Sequence, residues 1–276
     1  MDATIARELT RRARRTPSCL TCKPRPTMFD TLENRTFFNG TVRVTIDDES
    51  IRMTGDRAGN LVRLEAADGR ENSSPAFFVV PEVNTRLIIN GDVRSVSGVI
   101  APEGRPLFID LGSGEDRLIT GSRPTFGETT IAMGPGNDFF DSYATFDSLT
   151  VDGGDHDDRI IIRGGVVSTG NVDLFPGAGR DQVLFASPAE TLIEGKLLIR
   201  DRQGPLTVSA TGLFVKRETT IATGNSIDRI TINNSRFGRF TTIDTRGNDD
   251  VIDVRGTRFR RGRDLSPGEG DNTVEE

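Results

Sequence analysis

Gly134-Pro-Gly-Asn-Asp138-Phe-Phe, Gly154-Asp-His-Asp-Asp158-Arg-Ile-Ile and Gly177-Ala-Gly-Arg-Asp181-Gln-Val-Leu are three copies of one phrase, and their spacing decides the fold. A further copy stands upstream as Gly112-Ser-Gly-Glu-Asp116-Arg-Leu-Ile. Weaker copies follow at Gly224-Asn-Ser-Ile-Asp228, Arg246-Gly-Asn-Asp-Asp250 and Gly268-Glu-Gly-Asp-Asn272. Successive anchors lie 22, 20, 23, 47, 22 and 22 residues apart, the 47 being two steps around a degenerate copy placed with Gly204 at its anchor. A period in the twenties marks a stacked repeat.

The residues around each anchor carry the same register. Seven before stand Ile109, Ile131, Val151, Leu174, Leu197, Ile221, Ile243 and Leu265; two after stand Leu118, Phe140, Ile160, Val183, Leu206, Ile230, Ile252 and Val274. A column four after the anchor holds Ile162, Phe185, Val208, Ile232 and Val254. Another, eight to ten after, holds Phe126, Phe146, Val167, Phe214, Phe237 and Phe259. Apolar residues two apart give a strand one buried face. The fold expected is therefore all-β: a single-stranded parallel β-helix, a β-solenoid of about 22 residues per coil, with right-handed winding as the general prior. Met53, Asn60 and Val62 fit the same register as an earlier coil, whereas residues 66–105 do not thread onto it. Val42–Ile46 and Ile51–Met53, joined by Asp-Asp-Glu-Ser, read as a hairpin that caps the open end of the stack.

Composition divides the chain in two. Residues 1–40 hold eight Arg/Lys against four Asp/Glu and read as a disordered basic leader or sorting tail. Residues 41–276 hold 27 against 37 and read as the repeat domain, with an irregular beginning at 41–105 and regular coils over 106–276. That acidic body argues against nucleic acid as a partner. No apolar run reaches the length of a membrane span. The 30 glycines and 34% hydrophobic content suit a narrow core closed by many turns. The two cysteines, Cys19 and Cys22, lie in the tail without the second ligand pair that a structural zinc site needs. Val274-Glu-Glu falls in a last coil with no evident cap, which is frayed, covered by a neighbour or protected by Glu269, Asp271, Glu275 and Glu276, and a monomer is expected.

Two resemblances bear on function. Leu32-Glu-Asn-Arg35-Thr-Phe-Phe38, after an Arg-rich leader, resembles the Leu-Glu-x-Arg-x-Leu-Leu motif of large exported proteins of planctomycete bacteria, with two Phe in place of the two Leu. That resemblance implies an extracellular or cell-surface protein whose partner is a cell-envelope component or a glycan. Residues 1–40 lack the apolar core of an ordinary secretory signal. The Gly-x-Gly-x-Asp phrase resembles half of the calcium-binding nonapeptide of the haemolysin-type (RTX) repeats. Stacked loops of that kind can gather the 6–8 oxygens calcium takes. The resemblance implies a possible calcium column at Asp138, Asp155, Asp157, Asp158 and Asp181; the alternative is that each Asp closes its own turn by accepting backbone N–H bonds. The period of about 22 in place of nine, and Arg117, Arg159 and Arg180 beside the anchors, favour the turn.

No catalytic residues are assigned. His156 is unique and sits in a turn, and no Gly-Lys-Ser/Thr follows a glycine cluster. The expected function is a non-enzymatic structural or adhesive solenoid. The alternative is a carbohydrate-active β-helix, a polysaccharide lyase or hydrolase, using Asp138, Asp157, Asp158 and Asp181 as acids and bases.

Overall fold

The structure, a computed structural model, describes residues 40–66, 76–82, 84–94, 101–102, 104–121, 124–186, 190–201 and 203–276. The leader, the Leu32–Phe38 motif and both cysteines lie outside the described residues.

Two parallel ladders run through the stack and meet at the Gly-Asp turn. Strands before the turn, such as Leu107–Asp110, Thr125–Pro135, Thr145–Asp155 and Val172–Ala178, form part of a 17-stranded sheet. Strands after it, such as Arg117–Thr120, Phe139–Ser142, Arg159–Ile162 and Asp181–Phe185, belong to an 11-stranded sheet. A third short strand in the later coils, including Leu213–Val215, Arg236–Phe237 and Arg258–Phe259, stacks beside the first. The parallel β-solenoid expected from the repeat is what the chain forms.

Register explains why like residues recur. Ile109, Ile131, Val151 and Leu174 are paired in sequence across four coils, and Leu118, Phe140, Ile160 and Val183 across the other sheet. All eight are at most 3% exposed, so they form one continuous core. Each such side chain contributes roughly 1.5–3 kcal/mol by burial, but only while a neighbouring coil covers it. Phe126 and Phe146 stack at 5.5 Å, and Phe237 and Phe259 at 5.4 Å, as internal aromatic ladders.

The degenerate coil is shifted by two residues from the sequence reading. Leu174 pairs with Ile199, not Leu197, and Asp181 pairs with Leu206, which makes Leu206 the anchor in place of Gly204. Val208 and Ala210 then occupy the two core columns after it. Counted from Leu206, the buried residue nine on is Val215, while Phe214 faces outward beneath Arg236. The coil is longer, 25 residues from Asp181 to Leu206. A slip of one would have exchanged the faces; a slip of two preserves the alternation and so leaves no trace in the apolar pattern.

The hairpin forms as expected, with Val44 opposite Met53, but its second strand is already the first coil: Met53 pairs in parallel with Ile109 and Val62 with Leu118. The segment that would not thread doubles back over this end. Thr85–Ile89 extends one sheet beside Gly40–Ile46, and Ala76–Pro81 extends the other by antiparallel pairing with Leu61–Ala66. Both sheet edges are thus covered by strands that break the repeat, which blunts edge pairing.

In most coils the turn takes a positive φ four before the anchor, supplied by glycine, or in one coil by Arg246 at φ +65°. At Gly134 φ is +97°, and a Cβ there would lie 1.6 Å from Gly112 O in the coil before. Gly134→Ala is expected to cost about 3 kcal/mol or more, through both the strained φ and the separation of two coils. Denaturant unfolding measures it; a loss below about 1 kcal/mol would mean the turns stack more loosely than described.

Candidate functional site: a buried aspartate ladder

The anchor side chains point into the wall of the solenoid. Asp116, Asp138, Asp158, Asp181, Asp228 and Asp250 are each 3% exposed or less. Their placement follows from the turn: the chain closes on glycine, and the next residue inward is the anchor, two before the buried Leu118 or Phe140 column.

Each anchor carboxyl accepts the backbone N–H of the anchor one coil earlier. Asn60 N–H donates to Asp116 Oδ1 at 2.6 Å, Asp116 N–H to Asp138 at 2.7 Å, Asp138 N–H to Asp158 at 2.8 Å, and Asp158 N–H to Asp181 at 2.8 Å. The ladder resumes with Leu206 N–H to Asp228 Oδ1 at 2.7 Å, Asp228 N–H to Asp250 at 2.8 Å and Asp250 N–H to Asn272 Oδ1 at 2.8 Å. At the break, Asp181 N–H donates instead to Pro205 O at 3.0 Å, so Leu206 needs no carboxyl. A turn that widens coil by coil would expose unpaired N–H groups; these carboxyls satisfy them.

The second oxygen is where the coils differ. Five residues before the first four aspartate anchors the chain places Leu111, Met133, Gly153 and Pro176, and before the later ones Thr223 and Thr245. Thr223 Oγ1 donates to Asp228 Oδ2, whereas Thr245 Oγ1 donates to Pro267 O at 3.3 Å and Asp250 Oδ2 stays buried without a hydrogen-bond partner. Nothing equivalent faces Asp116, Asp138, Asp158 and Asp181, whose Oδ2 atoms are buried without a hydrogen-bond partner. An ionised oxygen there is costly. Burial accordingly pushes Asp116 up to about 7 and Asp158 up to about 8, with neighbouring carboxylates adding to it, and pushes Asp138, Asp181 and Asp228 up to about 6. Asp201, buried five before Leu206, raises its neighbours Asp181 and Asp228 further.

The ends of the ladder show how an uncharged side chain fills the same place. Asn60 Nδ2 donates to Ala58 O at 2.7 Å, to Leu111 O at 3.0 Å and to Asp116 Oδ1 at 3.0 Å. Asn272 Nδ2 donates to Gly268 O at 3.2 Å and Gly270 O at 3.3 Å while its Oδ1 accepts. A protonated aspartic acid combines the same two roles, one oxygen accepting and one O–H available to donate.

The five residues set out as a calcium column do not converge. Asp138, Asp158 and Asp181 are inside with Oδ1 engaged, while Asp155 and Asp157 are exposed on the outside. Asp157 Oδ1 accepts the Arg180 N–H at 2.8 Å. Asp155 borders an open hollow of about 360 Å³ with Asp152, Phe175, Arg200 and Gln203. Among the described residues no three His, Cys, Asp or Glu side chains are grouped to hold a metal ion. A cation needs several free oxygens at one point, so these residues do not fit calcium as a set. The buried carboxyls are equally out of reach of a polysaccharide. His156 occupies its turn at φ +84°, with Nδ1 2.8 Å from Asp155 O.

The alternation of Asp and Gly announced the ladder, but the direction of the side chains was not readable, since a turn Asp can face either way. No protein-family model, curated protein or solved structure matches the chain. Among the described residues no helix is long and apolar enough to cross a membrane.

Proposed function

We propose that this chain is a non-enzymatic structural or adhesive solenoid working outside the cell or at its surface, as a monomer, with an envelope component or glycan as its partner. The observation that carries the reading is the use of the repeated carboxyls: they are spent inside the wall, holding coil to coil, where no substrate meets them. Among the described residues of the regular coils the corners between strands are short, which leaves little chain there to build the walls of a catalytic cleft. The surface location rests on the resemblance of Leu32–Phe38 to the planctomycete export motif. Cohesion through N–H to carboxyl bonds needs no calcium, so calcium is not part of this reading.

The test is incubation with alginate and with polygalacturonate, with and without added calcium. No new reducing ends and no unsaturated uronate are expected. Chain cleavage would overturn the reading in favour of a carbohydrate-active enzyme.

A further inference from the structure

The body of the protein is acidic, yet one strip of it is not. Segments 213–217, 236–239 and 258–261 contain seven Lys/Arg and no Asp or Glu. The structure stacks these segments on one another: Val215, Phe237 and Phe259 pair in register beneath the surface. The residues that follow them therefore form two columns along the solenoid axis, Lys216, Gly238 and Arg260 in one, Arg217, Arg239 and Arg261 in the next. All five cationic side chains are exposed.

Gly238 leaves a gap in the first column. A Cβ there would meet Lys216 O at 2.4 Å, so the position stays small, and an open hollow of about 520 Å³ lies over it. Its lining is Phe214, Lys216, Arg239, Arg260 and Arg261, with Gly238 as floor. Nearby acids meet only part of the strip: Glu194 pairs with Lys216 at 2.5 Å, Glu218 pairs with Lys196 at 3.6 Å and lies within the field of Arg239, and Glu190 pairs with Arg236. Among the described residues Arg217, Arg260 and Arg261 have no ion-pair partner within 4.0 Å.

From this comb of cations we infer a binding strip for an anionic polysaccharide laid along the solenoid axis. Its positive groups repeat at the strand spacing of about 4.8 Å, which suits a linear chain carrying a carboxylate or sulfate on each sugar. Two features select against other polyanions. Single-stranded nucleic acid gains affinity by stacking bases on open aromatic rings, but Phe214 is covered by Arg236 at 4.6 Å and Phe259 by Arg263 at 5.1 Å. A duplex or a lipid surface is broad and would meet the acidic remainder of the protein, whereas one polysaccharide chain needs only the strip. The inference rests on the reading of the solenoid as a binding element.

The test uses the full chain, with alginate oligomers and dextran sulfate as probes and poly-dT and anionic phosphatidylserine vesicles as competitors in class. Alginate or dextran sulfate is expected to bind at low salt and weaken as salt rises. R239Q/R260Q/R261Q is expected to lower that affinity by about tenfold, and the charge-matched control R43Q/R57Q/R86Q to leave it within about twofold. All three forms should share one melting temperature, since every substituted side chain is exposed. Equal loss in the control, absence of binding, or tighter binding of poly-dT or vesicles would overturn the inference. Those outcomes without cleavage leave the non-enzymatic reading standing; cleavage of alginate overturns that reading separately.

Discussion

The melting temperature of the solenoid rises by on the order of 10 °C when the pH is lowered from about 8 to about 5, opposite to ordinary acid denaturation. The cause is the set of buried carboxyls. Asp116, Asp138, Asp158, Asp181 and Asp228 stand at about 7, 6, 8, 6 and 6 in the fold, against an ordinary value of 3.8. The folded state therefore binds protons that the unfolded chain has released. A raised carboxyl contributes stability that is complete below its unfolded value and is lost as the pH climbs through its folded one. The loss begins above the ordinary value of 3.8 and is complete for each group as the pH passes its folded value, the last of them at about 8. Each unit of displacement is worth about 1.4 kcal/mol for an isolated group. Neighbours in the ladder titrate together, so the sum is smaller than the separate parts, at least about 3 kcal/mol. At lower pH the trend reverses, because Asp253, held below its ordinary value by Arg255, loses that contact when protonated. Thermal unfolding followed at several pH values decides it. A flat profile, or greater stability at pH 8 than at pH 5, would show that the anchors are ionised and compensated in the fold.

Much of this was legible in the sequence, and the limits have physical reasons. The stack followed from Ile131, Val151 and Leu174 recurring with Asp138, Asp158 and Asp181, because parallel strands in register force like residues above like. The end cap was half legible: the alternation of Val42, Val44, Ile51 and Met53 gave the hairpin, but Phe77 and Val79 pair by antiparallel return, which leaves no fixed period. The slip at Leu206 was hidden because strand alternation is blind to a shift of two. The charge strip could have been found by laying the sequence in coils: Lys216-Arg217, Gly238-Arg239 and Arg260-Arg261 fall in the same place. The unpaired oxygens could not, since only the fold shows that Met133 and Gly153 stand where Thr223 stands for Asp228.

Asp158→Asn is expected to stabilise the protein at about pH 8 by roughly 1–3 kcal/mol, while Asp158→Ala destabilises it by about 2–4 kcal/mol at every pH. The two substitutions separate the roles of the two oxygens. Asn keeps the Oδ1 that accepts the Asp138 N–H at 2.8 Å. It replaces the buried, unpartnered Oδ2 by an amide that can donate to turn carbonyls, as Asn272 donates to Gly268 O and Gly270 O. Near pH 5 the wild-type carboxyl is protonated and the gain vanishes, because an acid and an amide then offer the same donor and acceptor. Ala removes the acceptor, so the buried Asp138 N–H is orphaned and a void opens beside Gly153. Denaturant unfolding of the three proteins at about pH 5 and about pH 8 gives the comparison. If Asn proves as harmful as Ala at pH 8, the charge at this position is needed, and hydrogen-bond donors, water or a cation must hold it within the wall. If Asn is the more stable form, the repeated Asp is a turn-closing acid whose proton belongs to the fold.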